Sequence, residues 1–410
     1  MRLILSLIIY NAGLILRNRF TINSRKMVWE GIIGQRRVTD LLSHALESER
    51  VAQAYLFYGP EGSGKQAVAI TLAAALQISP NDARKGEHTA FSRALRLLHP
   101  DVHVFFPTPK EIDEAEIAAR LALLREDQYR HVDTVRLPEP QTGGKKGGKQ
   151  AFYSVERMNE HIKPRVKYRP NEGRYQVVIL LEADYLRVEA ANAFLKVLEE
   201  PGQQTIFILT SSRPEKLLPT IVSRCQQIRF DPLEVSEMAD ALQKRLGLDA
   251  RQALLFARMA EGSINKALEL ATNPDILQHR ALIVSYFRAV YSRNVLQLAE
   301  LHEQLVKMGR DGLKSVIRLM LLWVRDIALI LHTQDLSRIV NADYEDVLAK
   351  LVQALPNAKT DQMVQSLEEA YFLVERNINE SLILMALSDA LARAMRGLPC
   401  PSLIRTLTDI

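Results

Sequence analysis

The order of apolar and polar positions predicts a sheet-containing region followed by a purely helical one. Short apolar runs bounded by polar residues, glycine or proline occur at 54–58 (AYLFY), 175–181 (YQVVILL) and 205–210 (TIFILT), which is typical of buried strands. Helix-forming segments lie between these runs, so right-handed helical crossovers should join the strands into a parallel sheet. The first part of the chain is therefore predicted to be an α/β domain.

The pattern changes after a last short apolar run at 228–230. Residues 232–272 carry the signals of short helices, among them VSEMADALQKRL and GSINKALEL. Beyond Asn273 the apolar residues have helical spacing, as in GLKSVIRLMLLWVRDIALIL, and no segment has the period of a strand. We therefore predict three parts: an α/β domain at 27–231, a small helical domain at 232–272 and an all-α domain at 273–410.

A region at about 79–150 interrupts the α/β pattern and is predicted to be a locally independent insertion. Its acidic stretch EIDEAEIAARLALLRED places Ile117, Leu121 and Leu124 on one helical face. The following QTGGKKGGK has the composition of a flexible loop. Lysines in that loop can contact DNA phosphates, but a solvated loop is the simpler interpretation.

Composition narrows the class of protein. The 410 residues are 47% hydrophobic and 25% charged, as in ordinary globular proteins, and 53 basic against 48 acidic residues permit contact with nucleic acid without establishing it. The two cysteines, Cys225 and Cys400, exclude a disulfide framework and a four-thiolate zinc site, and they fit a cytoplasmic protein. The segment MRLILSLIIYNAGLILRNRF has an apolar run that resembles a signal peptide, but Asn11 interrupts it and no small-residue cleavage motif follows, so we interpret residues 1–26 as an upstream extension with Met27 as the natural start.

One motif has the pattern of a phosphate-binding loop. GPEGSGKQ directly follows the first predicted strand and precedes the helix-forming segment QAVAITLAAALQ, which is the context that such a loop requires. The last position departs from the pattern, because Gln66 stands where a serine or threonine hydroxyl helps to hold magnesium. The candidate nucleotide-binding residues that remain are Gly59, Gly62, Gly64 and Lys65.

Four segments, in this order, resemble those of bacterial DNA polymerase III clamp-loader subunits: HALESERVAQAYLFYGPEGSGK, HPDVH, LLEADYLRVEAANAFLKVLEEP and ILTSSRPEKLLPTIVSRCQ. The resemblance covers about 27–270. It implies an AAA+ nucleotide-binding α/β domain with a parallel sheet, a helical lid at 232–272 and a helical collar at 273–410 through which subunits join in a ring. It also implies a role in DNA replication within the polymerase III holoenzyme. The implied partners are gamma/tau and delta subunits, the sliding clamp and primed DNA, with no membrane.

Three departures from the active members of that family predict that the chain does not hydrolyse ATP. Besides Gln66, Leu181 stands at the position of a magnesium-supporting aspartate and Asn265 at that of a lid arginine that contacts phosphates. Glu182 should point to the opposite face of the strand, whereas Asp184 stays a candidate carboxylate. Phosphoryl transfer depends on positioning and charge stabilisation, so losing all three groups should abolish it. Whether ATP is bound stays open.

A second motif, Ser223-Arg224-Cys225, matches the Ser-Arg-Cys sequence of clamp-loader subunits. The resemblance implies that Arg224 is an arginine finger, which acts in trans on the ATP of the adjacent subunit. A planar, permanently charged guanidinium suits that role. The alternative is an arginine in an ordinary surface ion pair.

Zinc is not expected, although related subunits often carry a four-cysteine zinc module. No cysteine precedes Cys225, and His88, His99 and His103 are too scattered to form a site. The sequence thus predicts a non-hydrolysing clamp-loader subunit with no required cofactor. The alternatives are an ATP-hydrolysing gamma/tau-like subunit, which the intact loop favours, and a nucleotide-regulated DNA-binding switch, for which no DNA-reading motif is visible.

Overall fold

The computed structural model describes residues 28–78, 89–109, 112–130, 151–202, 204–336, 338–376 and 378–408. The chain divides into two compact units. The first contains the described residues up to Ala241 together with Glu261–Lys266, and the second contains Leu242–Ala260 and Ala267–Ile410. Residues 232–272 are divided between the two units. The predicted extension at 1–26 and the glycine- and lysine-rich loop at 141–149 lie outside the described residues.

A five-stranded sheet runs through the first unit, with every paired strand parallel to its neighbour. The spatial order is β2-β3-β4-β1-β5. This arrangement confirms the predicted α/β fold, because three of the strands coincide with the three apolar runs. The strands are β1 (Ala54–Tyr58), β2 (Val102–Phe105), β3 (Gln176–Leu180), β4 (Thr205–Ser211) and β5 (Gln226–Arg229).

Strand β2 corrects the prediction of a locally independent insertion at about 79–150. It lies inside that region and pairs with β3 at the edge of the sheet. The helix Glu114–Glu126 of the same region also packs Leu124 into the core of the sheet. A four-residue strand is too short for periodicity to separate it from a loop. The local sequence pattern therefore did not reveal β2, which is defined only by its pairing with β3.

Strand side chains alternate between two apolar cores, one on each face of the sheet. On one face Tyr55 and Phe57 pack with the helices Arg36–Glu47 and Lys65–Ala75. On the other, Phe207 packs edge-on against Phe194 of the helix Val188–Glu199, with ring centroids 5.5 Å apart. Because both faces are buried, the central strands are continuous apolar runs in the sequence.

The other helical elements complete the two units. The first unit also contains Thr89–Leu95, a helix with a π-turn formed by Val155–Arg157, Met158–Ile162 and Lys163–Lys167, the helix Pro219–Val222 and the short 3-10 turns Ala183–Tyr185 and Pro214–Lys216. The helices Val235–Leu246 and Ile264–Thr272 contribute residues to both units. The second unit contains Ala250–Met259, Ile276–Ser292, Val295–Lys307, Gly309–Thr333, the 3-10 turn Ala342–Tyr344, Glu345–Ala354, Thr360–Glu375, Glu380–Met395 and Leu403–Thr408.

The described part of the chain beyond Asn273 contains helices and no strand, as the sequence predicts. Among the described residues, no helix combines the length and the apolar character needed to cross a bilayer. The long helix Gly309–Thr333 illustrates why, because only one of its faces is buried and the other carries polar and charged side chains.

The HPDVH segment contains a structural carboxylate. Asp101 is fully buried, and its Oδ1 accepts the N–H of Asn171 at 2.7 Å while its Oδ2 accepts those of Glu172 and Gly173 at 2.9 and 2.7 Å. Burial acts to raise the pKa of Asp101, but the three backbone donors outweigh it, so the pKa lies below its ordinary value. Asp101 therefore fastens the segment that leads into β3 to the start of β2.

Candidate functional site

The glycine loop connects β1 to the helix Lys65–Ala75, and close contacts require two of its glycines, Gly59 and Gly62. Gly59 has φ +148°, and a Cβ at this position would lie 2.2 Å from the carbonyl oxygen of Phe230. Gly62 has φ +75°, and a Cβ there would lie 1.8 Å from Oγ of Ser263. The N–H of Ile264 also donates to the carbonyl oxygen of Gly62 at 3.0 Å. The loop is thus packed tightly against the rest of the first unit.

We expect Gly59→Ala to destabilise the first unit by about 1–3 kcal/mol, because the added methyl group meets backbone that cannot move aside. Gly31→Ala is the control, since a Cβ at Gly31 meets nothing within 4 Å. Chemical denaturation of both variants measures the effect. Equal stability of the two variants would contradict this account of the loop.

Lys65 turns back onto the loop that precedes it. Its ammonium group donates to the carbonyl oxygens of Gly59 and Pro60 at 2.8 and 2.6 Å, and the residue is 8% exposed. Burial lowers the pKa of Lys65 to about 8, against the opposing influence of the carboxylates of Glu61, Glu182 and Asp184. The cation that would contact phosphate is therefore bound to its own loop.

Gln66 anchors a distant segment over the loop. Its side-chain amide donates to the carbonyl oxygens of Gln128 and Arg130 at 2.8 and 3.2 Å. One helical turn further on, the hydroxyl of Thr71 donates to the side-chain oxygen of Gln128 at 3.3 Å. The residue that replaces the metal-binding hydroxyl thus holds residues 128–130 in place.

Tyr129 lies over the glycine loop, where a Cβ at Gly64 would be 3.6 Å from its ring. Its hydroxyl accepts the N–H of Ile33 at 2.7 Å, its carbonyl oxygen accepts from the side-chain amide of Asn265, and the residue is 3% exposed. The cavity that remains between Tyr129, Lys65 and Glu182 is about 50 Å³. Ligand pockets usually measure about 300–1,000 Å³. The cavity is thus well below that range, and both Gln66 and Asn265 help to hold the segment that narrows it.

Leu181 and Glu182 follow the end of β3. Leu181 is buried in the core, 3% exposed, and offers no ligand for magnesium. Glu182 has φ +50°, its N–H donates to the hydroxyl of Thr210 at 2.9 Å, and it lines the small cavity beside Lys65. The prediction that Glu182 points to the opposite face of the strand is wrong, because it assumed that β3 continues to this residue. The strand ends at Leu180, so the alternation of side chains along a strand does not extend to Glu182.

Asp184 lies in the turn after β3, past the strand as expected, and is paired. Its Oδ1 accepts from the hydroxyl of Ser211 at 2.9 Å, and its Oδ2 lies 2.9 and 2.8 Å from Nε and a terminal nitrogen of Arg213. The sequence analysis missed Ser211 and Arg213, although polar residues at the carboxyl end of a buried parallel strand are a signal for a site. The ion pair leaves Asp184 a structural group rather than an open metal ligand.

Arg224 does not line its own glycine loop. It lies between the helix Pro219–Val222 and the edge strand β5, and its side chain is 41% exposed. One terminal nitrogen of the guanidinium contacts Oε1 of Glu199 at 2.7 Å and the other donates to the carbonyl oxygen of Thr220 at 3.1 Å. The neighbouring Cys225 is buried, which raises its thiol pKa to about 12 and keeps it protonated. Of the motif, Ser223 and Arg224 are thus exposed and Cys225 is buried.

The histidines that were considered for zinc take structural roles where they are described. Nδ1 of His99 accepts the N–H of Asp101 at 3.2 Å. Burial, together with the nearby Arg165, lowers the pKa of His103 to about 4, so its ring is neutral. His88 lies outside the described residues. In the described ranges, no three His, Cys, Asp or Glu side chains are grouped as metal ligands.

Comparison with known proteins agrees with the family that the motifs indicate. Residues 34–234 match the family described as DNA polymerase III, delta subunit. The chain is 26% identical over 359 residues to DNA polymerase III subunit delta' of Bacillus subtilis, which covers 86% of this chain and 95% of that protein. It is 25% identical over 371 residues to subunit tau of the same organism, covering 85% of this chain and 58% of tau.

Among solved structures, a DNA polymerase III gamma subunit-related protein from Thermotoga maritima aligns with 87% of this chain and 99% of its own, at 16% identity and a TM-score of 0.38. The sequence relatives carry the assignment, since delta' is matched over nearly its whole length and tau over more than half. The resemblance noted from the motifs is thereby confirmed. The comparisons support a clamp-loader subunit of DNA polymerase III that is most like delta'.

Proposed function

We propose that this chain is a clamp-loader subunit that neither binds nor hydrolyses nucleotide, and that it donates Arg224 to the ATP site of a neighbouring subunit. The complex would place a sliding clamp on primed DNA, with gamma/tau and delta subunits as the partners. The observation that carries the proposal is the occupation of the nucleotide position by the segment 127–130, which leaves a cavity of about 50 Å³.

Loss of hydrolysis follows from the groups that surround the loop. Gln66 and Asn265 hold Tyr129 and its neighbours, Leu181 is part of the core, and Asp184 is paired with Arg213. These positions therefore do not supply the magnesium ligands and the phosphate-contacting arginine of an active member. Because phosphoryl transfer relies on such charges, the site is expected to be inert.

Two features support the donation of Arg224 to a neighbouring subunit. Its side chain is partly exposed, and its ion pair lies at the surface. Arg224 and Glu199 are 41% and 49% exposed, so their contact is a surface salt bridge of small net value. A charge-assisted, bidentate contact with a phosphoryl group is stronger, so the guanidinium can exchange one partner for the other at low cost. A merely structural arginine would be expected to have a more buried partner.

The isolated chain should show no ATP turnover above background and no saturable binding of a fluorescent ATP analogue, with or without magnesium. Lys65→Ala should change neither result, because the wild-type ammonium group is already bound to loop carbonyls. Turnover on the scale of about 1–100 per second that is lost in Lys65→Ala would instead support a gamma/tau-like ATPase.

The role of Tyr129 can be tested by opening the cavity. We expect Tyr129→Ala to bind the fluorescent nucleotide measurably where wild type does not, because the ring over Gly64 is removed. Tyr168→Ala is the matched control, since that tyrosine is 73% exposed. Binding by the wild-type chain as tight as by Tyr129→Ala would contradict a closed site.

A further inference from the structure

A groove of about 540 Å³ lies in the first unit, along the outer edge of β2. Its wall includes Val102, His103, Val104 and Phe105. Consecutive side chains of a strand point to opposite faces of the sheet, so a cavity that touches four residues in a row must follow the edge of the strand. The groove is therefore bordered by the backbone of β2, and its volume is within the range of ligand sites, about 300–1,000 Å³.

This edge of β2 carries backbone groups that can bind another strand. The N–H of Val177 donates to the carbonyl oxygen of Asp101 at 2.8 Å, and that of Leu181 to the carbonyl oxygen of Phe105 at 2.9 Å. The odd-numbered residues thus face β3, so the N–H and C=O of Val104 face the groove. No strand pairs with this side of β2 among the described residues. Such an edge is a template for an extended chain.

The chain itself pairs with the same edge just beyond β2. Thr108 and Phe152 form an antiparallel bridge, in which their N–H groups donate to each other's carbonyl oxygens at 3.2 and 3.0 Å. The chain then enters a helix at Val155, so the bridge does not continue along β2. An antiparallel partner can therefore reach this edge, and the part at 102–105 is left for another molecule.

One wall of the groove is apolar. The helix Glu114–Glu126 forms it with Ile117, Ala118 and Leu121, and the side chain of Val104 packs in the same core. In an antiparallel ladder, the residue directly opposite Val104 would have its side chain on the same face and its N–H and C=O directed at β2. Every second residue of a bound strand should therefore be apolar.

The opposite wall carries two arginines without a carboxylate partner. Arg157 and Arg165 line it, and neither forms a salt bridge among the described residues. One terminal nitrogen of Arg157 donates to the hydroxyl of Thr108 at 2.9 Å, and the other makes no hydrogen bond in the described part of the chain and is accessible. Burial, together with the charge of Arg120, lowers the pKa of Arg157, so the surroundings destabilise this cation. A carboxylate from a ligand would stabilise it.

Three glutamates also border the groove, but all of them are exposed: Glu114, Glu156 and Glu160. Arg157 is half-buried. Exposed charges are screened by solvent and salt, whereas a half-buried charge is screened much less. Inside the groove, the charge that a bound strand meets is therefore positive.

We propose that the outer edge of β2 is a docking site for an extended segment of a partner protein in which apolar and acidic residues alternate. The segment adds an antiparallel strand to the sheet, its apolar side chains lie against the helix Glu114–Glu126, and its carboxylates meet Arg157 and Arg165. The proposal extends beyond the clamp-loading role, and it involves neither the glycine loop nor Arg224.

Titration of the full chain with the peptide fluorescein-Gly-Glu-Val-Glu-Val-Glu amide tests the proposal by fluorescence anisotropy. We expect saturable binding below about 1 mM, and binding at least about tenfold weaker for a peptide with lysine in place of each glutamate and for one with alanine in place of each valine.

Two N-methylated peptides test the strand pairing itself. Methyl groups on the valine nitrogens remove the N–H groups that face β2 and should abolish binding. Methyl groups on the glutamate nitrogens lie on the solvent side of the added strand and should leave the affinity within about twofold. Equal affinity of the two methylated peptides would overturn the proposal.

Variants of the chain locate the site. Arg157→Met should weaken binding about tenfold, whereas Arg169→Met, which removes an equal charge at an exposed residue outside the groove, should not change it. Ala118→Trp should abolish binding, because it fills the groove from an exposed helix position that tolerates a larger side chain.

The remaining outcomes distinguish other occupants. No binding at millimolar peptide, or equal binding by Arg157→Met and Arg169→Met, would overturn the proposal. Displacement of the peptide by a ten-residue oligothymidylate would overturn it in favour of a nucleic-acid site. Binding that appears only when glycine and serine replace residues 132–149 would assign the edge to the chain's own segment and would overturn it as well.

Discussion

Replacing Arg224 with alanine is expected to lower ATP hydrolysis about a thousandfold at the neighbouring site that it serves, while the variant folds and assembles normally. The proposed finger would stabilise charge that develops on the transferred phosphoryl group, whereas the contacts of Arg224 in the free chain are a surface ion pair with Glu199 and a hydrogen bond to the carbonyl oxygen of Thr220. DNA-stimulated ATPase of a reconstituted complex measures the effect. The total rate falls less if other subunits carry fingers of their own.

Three further variants show whether the effect belongs to the finger. Arg224→Lys should restore only part of the rate, because a point charge does not reproduce a bidentate fork. Glu199→Gln removes the ion pair but keeps the arginine, so it should retain nearly all activity. Arg174→Ala is the matched control, since Arg174 is 39% exposed and paired with Glu49 in a similar way. Equal rates for Arg224, alanine and lysine would remove this residue from the mechanism.

Replacing Asp101 with alanine is expected to cost about 3–5 kcal/mol of stability in the first unit, because it removes three charge-assisted hydrogen bonds from the backbone N–H groups of residues 171–173. Asp101→Asn should cost less, since one side-chain oxygen still accepts. Denaturation followed by Trp29 fluorescence in a Trp323→Phe background reports on the first unit. Asp113→Ala, which removes only a helix N-cap, is the control at about 1 kcal/mol.

The contribution of Asp101 should also depend on pH. Its pKa is lowered in the folded chain, so its stabilisation is present above the unfolded value of about 3.9 and is lost as the pH falls through the lower folded value. The stability difference between wild type and Asp101→Ala should therefore shrink as the solution is acidified below about pH 4. A difference that grows on acidification would contradict the assignment.

The local sequence was sufficient to predict those elements whose burial or backbone geometry produces a short-range pattern of residues. The apolar runs at β1, β3 and β4 predicted the parallel sheet because strands buried on both faces must be apolar throughout. The glycine loop was predictable because the motif joins strand, turn and helix without a gap. The strand β2 was missed because four residues are too few to show a period, and its pairing partner β3 lies 75 residues further along the chain, as in the pair Val102 and Val177.

The candidate site also combines features that the sequence indicates with features that only the tertiary structure determines. The sequence by itself indicated the family, the glycine loop, the departures at Gln66, Leu181 and Asn265, and the candidate Arg224, since each of these depends on which residue stands in a recognisable motif. Only the tertiary structure decided what the departures do. Gln66 and Asn265 both bind the segment of Tyr129, which lies more than sixty residues from the loop in the chain. Contacts over such a separation are determined by the packing of the whole unit, so no local pattern in the sequence records them.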